Sequence, residues 1–297
     1  MSSTLHDLAL FPGDLAPARS FFVGIDSDGC VFDTMELKQR TCFCPNFIDS
    51  FGLQAVSGYA REAWEFVNLH SRTRGCNRYE AVLRTLELLR EHPGIKSSPV
   101  ALPKLAGLAT WLQHEPSPGL TTLRAELDRT GSAELELVYL WSIAVDEAIG
   151  KSAGSVPPFP LVRESLEAMR GSADIMVISQ TPSETLRRDW AQHGLDGLVR
   201  HIAGQEAGTK SGQLRLATEG MYSPDRILMI GDAPGDLEAA RRNGALFYPI
   251  QPGNEVESWR RFHDEALGRF FEGSFTMKYQ EMLLEEFSVQ YPSARSV

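Results

Sequence analysis

Basic charge, cysteine and long apolar stretches are all scarce in this chain, and each shortage narrows what it can be. Its 297 residues carry 29 Lys and Arg against 39 Asp and Glu, a formal net charge of −10. Surfaces for nucleic acid or anionic lipid need a basic footprint, so neither partner is expected. A phosphorylated ligand is still allowed, because charges are screened beyond ~8 Å at physiological salt and a local lysine or metal ion then dominates. No apolar run approaches the ~18–20 residues that span a bilayer. The opening MSSTLHDLALFPGDLAPARS lacks a basic stretch followed by an unbroken apolar one, so it does not read as a secretory signal. A cytoplasmic location is the expectation. Four cysteines, Cys30, Cys42, Cys44 and Cys76, are too few and too clustered for a disulfide framework. Cys42 and Cys44 lack the two-residue spacer of zinc and redox motifs, so reduced thiols are expected. Seven scattered histidines form no H-E-x-x-H pair, which leaves zinc catalysis without support. No repeat or low-complexity tract is present.

What the chain does have is a set of five short apolar runs: FFVGI (21–25), IMVIS (175–179), VRHIAG (199–204), ILMIG (227–231) and ALFYPI (245–250). Each is short, rich in aliphatic and aromatic residues, and bounded by Gly, Asp, Ser or Pro, as buried parallel strands are. Helical patterns lie between the later runs, at 161–170, 182–194, 210–220 and 234–244. This alternation predicts an α/β fold with a doubly wound parallel sheet, whose ligands sit beyond the C-terminal strand ends. Residues 34–156 break the pattern. They hold amphipathic helices, such as AREAWEFVNLH, RYEAVLRTLELLR and SAELELVYLWSIAVDEAIG, and no convincing strand. An insertion this long is expected to be its own all-α domain, with SAGSVPPFP (152–160) as the returning linker. The expected organisation is therefore a discontinuous core of 1–33 plus 157–297, with 34–156 inserted and two extra helices from about 254 onward. Trp64 and Trp141 fall on helical stripes and are expected in the core of the inserted domain.

The chemistry collects at the strand ends. The first run leads into Asp26-Ser27-Asp28-Gly29, two carboxylates one residue apart. Like charges so close call for a cation or a shared proton, and hard oxygen ligands suit Mg²⁺. An Asx-rich turn would place the same residues there. The fourth run leads into Gly231-Asp232-Ala-Pro-Gly-Asp236, a second carboxylate pair, with Asp236 also suited to a helix first turn. The second run ends at Ser179-Gln-Thr181, able to hold phosphoryl oxygens at a helix N-terminus or to cap that helix. Lys210 opens the helix after the third run. Four such clusters at four strand ends are hard to dismiss as independent turns and caps.

Asp26-Ser-Asp28-Gly, Ser179, Lys210 and Gly231-Asp232-x-x-x-Asp236 match, in order and strand context, the four motifs of the haloacid dehalogenase superfamily, which this chain resembles. The inserted helical segment resembles the cap that follows the first motif in that superfamily, although it is longer than the ordinary small version. The resemblance implies that Asp26 is a nucleophile forming an aspartyl-phosphate. Mg²⁺ would be bound by Asp26, the backbone carbonyl of Asp28 and Asp232. Asp28 would be the general acid and base, Ser179 and Lys210 would bind the phosphoryl group, and Asp236 would orient Lys210 or a metal-bound water. A carboxylate at Asp28 favours a phosphatase over the dehalogenase branch. A phosphomutase, or a catalytically silent binding protein on the same fold, is the alternative.

The cap is expected to supply leaving-group contacts to a small phosphorylated substrate. Its most suggestive stretch is His70 to Tyr79, where Arg74, Asn77 and Arg78 are the candidates, with Thr181 from the core. A solvated interhelical loop would carry similar residues. Gly204 to Ser211 nearly spells a nucleotide-binding loop, but Thr209 occupies the required second glycine and its branched side chain would obstruct the backbone approach to phosphate.

Overall fold

A computed structural model of the chain describes residues 16–151 and 156–289. The first residues of the expected linker (152–155), most of the N-terminal stretch weighed as a signal, and Gln290 onward lie outside the described residues. The described residues divide into two compact units, one of residues 16–34 and 156–289, the other of residues 35–151.

The first unit is built on five parallel strands: β1 (Phe21–Ile25), β2 (Ala173–Ile178), β3 (His201–Ala203), β4 (Ile227–Gly231) and β5 (Leu246–Pro249). Their order is β3-β2-β1-β4-β5, so the chain starts in the centre and winds outward in both directions. β1 pairs with β2 and β4, with Ile25 opposite Val177 and Ile230. The central strands are buried along nearly their whole length, which is why they read as continuous apolar runs rather than alternating ones. Helices Val162–Met169, Ser183–Gln192, Lys210–Thr218 and Pro234–Arg242 make the crossovers. Beyond β5, the helix Glu255–Arg261, a π-helical turn Phe262–Ala266 and the helix Leu267–Phe271 are followed by Met277–Val289. Trp259, Phe262 and Phe270 from this segment enter the same apolar core as Val23, Val177 and Ile230.

The second unit is helical. Ser57–Leu69, Arg78–Glu91, Ala106–His114, Leu120–Thr130 and Ala133–Lys151 surround a core centred on Trp64 and Trp141, whose rings meet edge-on at 6.0 Å. Both tryptophans are fully buried, and the Trp64 indole donates to Gln39 Oε1 at 2.9 Å. In the sheet unit, the outgoing and returning chains meet before either leaves: Phe32 and Pro158 form an isolated antiparallel bridge, and Phe159 N donates to the Val31 carbonyl at 2.9 Å.

Candidate active site

β1 and β4 lie side by side, and each runs straight into an aspartate. The Asp26 amide donates to the Ile230 carbonyl at 3.0 Å, so the ladder continues past the end of β1 and holds Asp26 beside the end of β4. Parallel strands deliver their C-terminal residues to one edge, and this edge receives Asp26 and Asp232 together. Asp236 joins them from the first turn of Pro234–Arg242. The three are 3%, 0% and 0% exposed, and oxygens from all three lie within 4.8 Å of one another. Asp236 lies so close over Gly231 that a Cβ there would come within 2.3 Å of its carboxyl carbon. Only glycine fits at the end of β4.

Lys210 enters this cluster from the helix Lys210–Thr218. Thr209 is the N-cap of that helix and accepts from the Gly212 amide at 3.1 Å, which accounts for a threonine where a nucleotide-binding loop would need glycine. Lys210 Nζ donates to Asp26 Oδ2 at 2.7 Å and to Asp236 Oδ1 at 2.6 Å. Asp26 Oδ1 accepts from the Ser27 amide at 2.7 Å, and Asp236 Oδ2 accepts from the Ala233 amide at 3.1 Å.

Three carboxylates against one ammonium leave this buried cluster two negative charges in excess when all are ionised. Burial and these neighbours together set the titration of Asp236 and Lys210. Burial pushes the Asp236 carboxyl up to about 7; Lys210 pulls against this, while Asp26 and Asp232 add to it. Burial works against the Lys210 charge as well, but Asp236 and Asp26 outweigh it and hold the ammonium well above its ordinary range. Cys30, four residues beyond Asp26, has its thiol pushed up by burial and by Asp232, Asp26 and Asp236, and its Sγ donates to the Ile230 carbonyl at 3.8 Å. It is packing material in the core of the sheet unit. A small hard cation fits this site: the donors are carboxylate oxygens, they converge, and their charge exceeds what Lys210 offsets.

Asp28 is handled differently. Its Oδ2 accepts from Thr181 Oγ1 at 2.8 Å and its Oδ1 from Thr34 Oγ1, so two hydroxyls hold the carboxyl and it is not one of the converging three. Gly29 allows the turn at φ +80°, with its amide donating to the Phe32 carbonyl at 2.8 Å. Thr34 carries no signature in the sequence that would have singled it out. Thr181 does not cap the next helix. Ser183–Gln192 starts after Pro182, and Glu206 Oε2 takes the Ser183 amide at 3.1 Å and hydroxyl at 2.7 Å. Ser179 is buried at the end of β2, its amide donating to the Ala203 carbonyl at 3.1 Å. Gln213, one turn along from Lys210, ties the neighbouring loops together through Nε2 contacts to the carbonyls of Ser179 (3.3 Å), Gly204 (2.9 Å) and Gly208 (2.9 Å). Nothing in the pattern of the sequence marked that glutamine.

Arg74, Asn77 and Arg78 belong to the helical unit, where each has structural work. Arg74 is buried and donates to the Leu69 carbonyl at 3.4 Å. Asn77 is the N-cap of Arg78–Glu91, accepting from the Tyr79 amide at 3.0 Å and donating to the Pro118 carbonyl at 2.9 Å. Arg78 pairs with Asp146 at 2.7 Å, donates to Ser142 at 3.0 Å and lies over the Phe43 ring at 5.2 Å.

The family model of haloacid dehalogenase-like hydrolases matches residues 47–244, a span that holds Ser179, Lys210, Asp232 and Asp236 and begins after Asp26. No curated protein matches the chain. Among solved structures, a predicted phosphoglycolate phosphatase from Haemophilus somnus is 15% identical, covering 81% of this chain and 89% of its own, with a TM-score of 0.43. A haloacid dehalogenase-like family hydrolase from Xanthomonas campestris is 14% identical, covering 88% and 97%, with a TM-score of 0.47. A hydrolase from Pseudomonas syringae is 15% identical, covering 81% and 90%, with a TM-score of 0.48.

Proposed function

Starting from a chain that belongs to the haloacid dehalogenase-like hydrolases, we propose that it is a Mg²⁺-dependent phosphatase, hydrolysing a small phosphorylated metabolite through an aspartyl-phosphate on Asp26. The observation that carries this reading is the buried Lys210 ammonium bridging Asp26 and Asp236 at the C-terminal edge of the central strands. A carboxylate held by a lysine, with two more carboxylates alongside, suits a nucleophile that must meet an anionic phosphoryl group.

In the proposed reaction a carboxylate oxygen of Asp26 attacks phosphorus and the bond from phosphorus to the leaving oxygen breaks. Asp28 delivers a proton to that oxygen. Asp28 then takes a proton from water as it attacks phosphorus, which releases inorganic phosphate and restores Asp26. Ser179 and Lys210 hold the phosphoryl oxygens, and Asp236 keeps Lys210 aimed at Asp26. Mg²⁺, held by Asp26, Asp232 and the Asp28 backbone carbonyl, would supply further neutralisation of the phosphoryl charge. The separation of Asp28 from the converging carboxylates supports this division of labour, because a proton carrier needs freedom from the cation-binding group. The helical unit is the segment proposed to act as a cap and to set which leaving group is accepted. No helix among the described residues is long and apolar enough to cross a membrane, and the proposed setting is the cytoplasm.

The test is phosphate release from a panel of phosphate monoesters, with and without Mg²⁺, comparing wild type with Asp26→Asn. Metal-dependent release that falls on the order of 10³-fold or more in the variant, with the circular dichroism unchanged, is the expected result. An Asp26→Asn protein with wild-type turnover would remove the mechanism. No release from any ester would favour a phosphomutase, a substrate outside the panel or a silent binder on the same fold.

A further inference from the structure

The segment after residue 244 lies beyond the span matched by the family model, as does the loop that carries Asp26 and Asp28 before it. The two meet. Trp259, on the helix Glu255–Arg261, is fully buried and its indole N–H donates to the Cys30 carbonyl at 2.8 Å. A second buried indole reaches the same loop: Trp190 Nε1 donates to Ser27 Oγ at 3.1 Å, and its ring meets Phe32 edge-on at 5.9 Å. We infer that Trp259 and Trp190 are positioning residues, which fix the Ser27–Cys30 loop from two helices and thereby aim Asp28. The inference rests on the roles proposed for Asp26 and Asp28.

The loop needs such anchors. The Ser27 carbonyl takes the amides of Val31 at 2.8 Å and Phe32 at 3.1 Å, and that of Cys30 at 3.3 Å, so it folds on itself and leaves its outer groups to be met from elsewhere. Ser27 Oγ and the Cys30 carbonyl are those outer groups, and Asp28 lies between them in the chain. Trp259 is itself held. The Tyr248 hydroxyl from β5 donates to the Ser258 carbonyl at 2.7 Å, Ser258 Oγ accepts from the Gln251 amide at 3.0 Å, and Phe262 packs edge-on against the indole at 5.5 Å. A chain of contacts therefore runs from the edge strand through the C-terminal helix to the proposed catalytic loop. Removing the Trp259 donor takes its bond from the buried Cys30 carbonyl, removing the Trp190 donor takes one from the Ser27 hydroxyl, and either leaves the loop freer to turn its peptide planes.

The experiment compares Trp259→Phe and Trp190→Phe with Phe275→Leu, a buried ring of the C-terminal segment that packs on Tyr279. With p-nitrophenyl phosphate as probe, a positioning role lowers kcat by about tenfold in the tryptophan variants. It also raises the Mg²⁺ concentration for half-activation, moves KM for the ester little, and speeds hydrogen exchange at the amides of residues 27–32. Phe275→Leu, read below its own unfolding transition, shows none of these. If Trp259→Phe does not fold, Trp190→Phe carries the same readouts on the same loop. Tryptophan variants indistinguishable from Phe275→Leu in kcat, half-activation and loop exchange overturn the inference. Should the wild type hydrolyse no ester, the proposed reaction fails by itself, and exchange at 27–32 still decides the anchoring: unchanged exchange overturns it.

Discussion

Buried carboxylates stand at both ends of the same sheet, and they are treated in opposite ways. At the N-terminal end of β2, Asp174 is surrounded by donors. It accepts from the amides of Ala18 (2.8 Å) and Arg19 (2.9 Å), from the Tyr222 hydroxyl (2.7 Å) and from Arg200 (3.1 Å). Burial alone would raise its pKa, but Tyr222, the two amides and Arg200 hold it below the usual carboxylate range. At the C-terminal end of β1 and β4, Asp26, Asp232 and Asp236 face one another around a single lysine, and Asp236 is pushed up to about 7. The first arrangement is complete and asks for nothing further. The second is crowded with like charge, which a bound cation would offset. Burial of a carboxylate therefore says little about function; the balance of donors against like charges around it says much more.

The sharpest way to break that contrast is to remove the lysine that the crowded end holds. Lys210→Met leaves three carboxylates facing one another and removes the ion pairs to Asp26 and Asp236. Phosphate release is expected to fall on the order of 10³-fold. Thermal denaturation without metal should show a loss of about 3 kcal/mol, the scale for stripping a partner from buried charges. A variant that kept both activity and stability would mean the cluster is not the strained end of the sheet.

A smaller effect separates the two ends by pH. Asp236, raised to about 7 against 3.8 for an ordinary aspartate, binds its proton more tightly in the folded state. Its stabilising contribution is complete below 3.8 and is lost as pH rises to about 7. Asp174, lowered from 3.8, contributes fully above that value and loses its contribution as pH falls through its lower folded-state value. In metal-free protein, Asp236→Asn should therefore flatten the loss of Tm toward neutral pH, and Asp174→Asn the loss in acid. The changes should be a few degrees each. Added Mg²⁺ should raise Tm more at neutral than at acid pH, and to the same small degree across pH in Asp236→Asn. An Asp236→Asn profile that tracks wild type across the neutral limb would erase the distinction between the ends.

Much of the crowded end was legible in the sequence because strand geometry does the converging. Parallel runs such as FFVGI and ILMIG can end only at one edge, so the aspartates that follow them must meet there, and Lys210 at the start of a crossover helix reaches the same edge. The complete end was hidden. Asp174 interrupts an apolar run, which is why the strand was expected to begin at Ile175 rather than at Ala173. The edge strand shrinks from the expected 199–204 to His201–Ala203, since a strand paired on one side only has fewer partners to extend it. Asp28 turns to Thr34 and Thr181 through contacts that no spacing rule marks. The indole bonds of Trp190 and Trp259 join residues more than 160 and 220 positions apart, and a tryptophan on an apolar helical face looks the same with or without such a bond.

The helical unit supplies the mildest test of the same contrast. The stretch His70 to Tyr79 looked as polar as the strand ends, yet no sheet edge gathers its residues. Asn77 caps a helix and bonds Pro118, and Arg78 turns to Asp146 and Ser142. If that use is the whole of its role, Asn77→Ala should cost about 1 kcal/mol, the scale of a lost N-cap, measured by denaturant unfolding. Asn77→Asp retains the acceptor for the Tyr79 amide but not the donor to Pro118, so it should recover part of that loss. Neither change should alter the ranking of phosphate esters. A changed ranking in Asn77→Ala with stability intact would show instead that this loop recognises substrate, and that polar clusters between helices are gathered to a purpose as those at strand ends are.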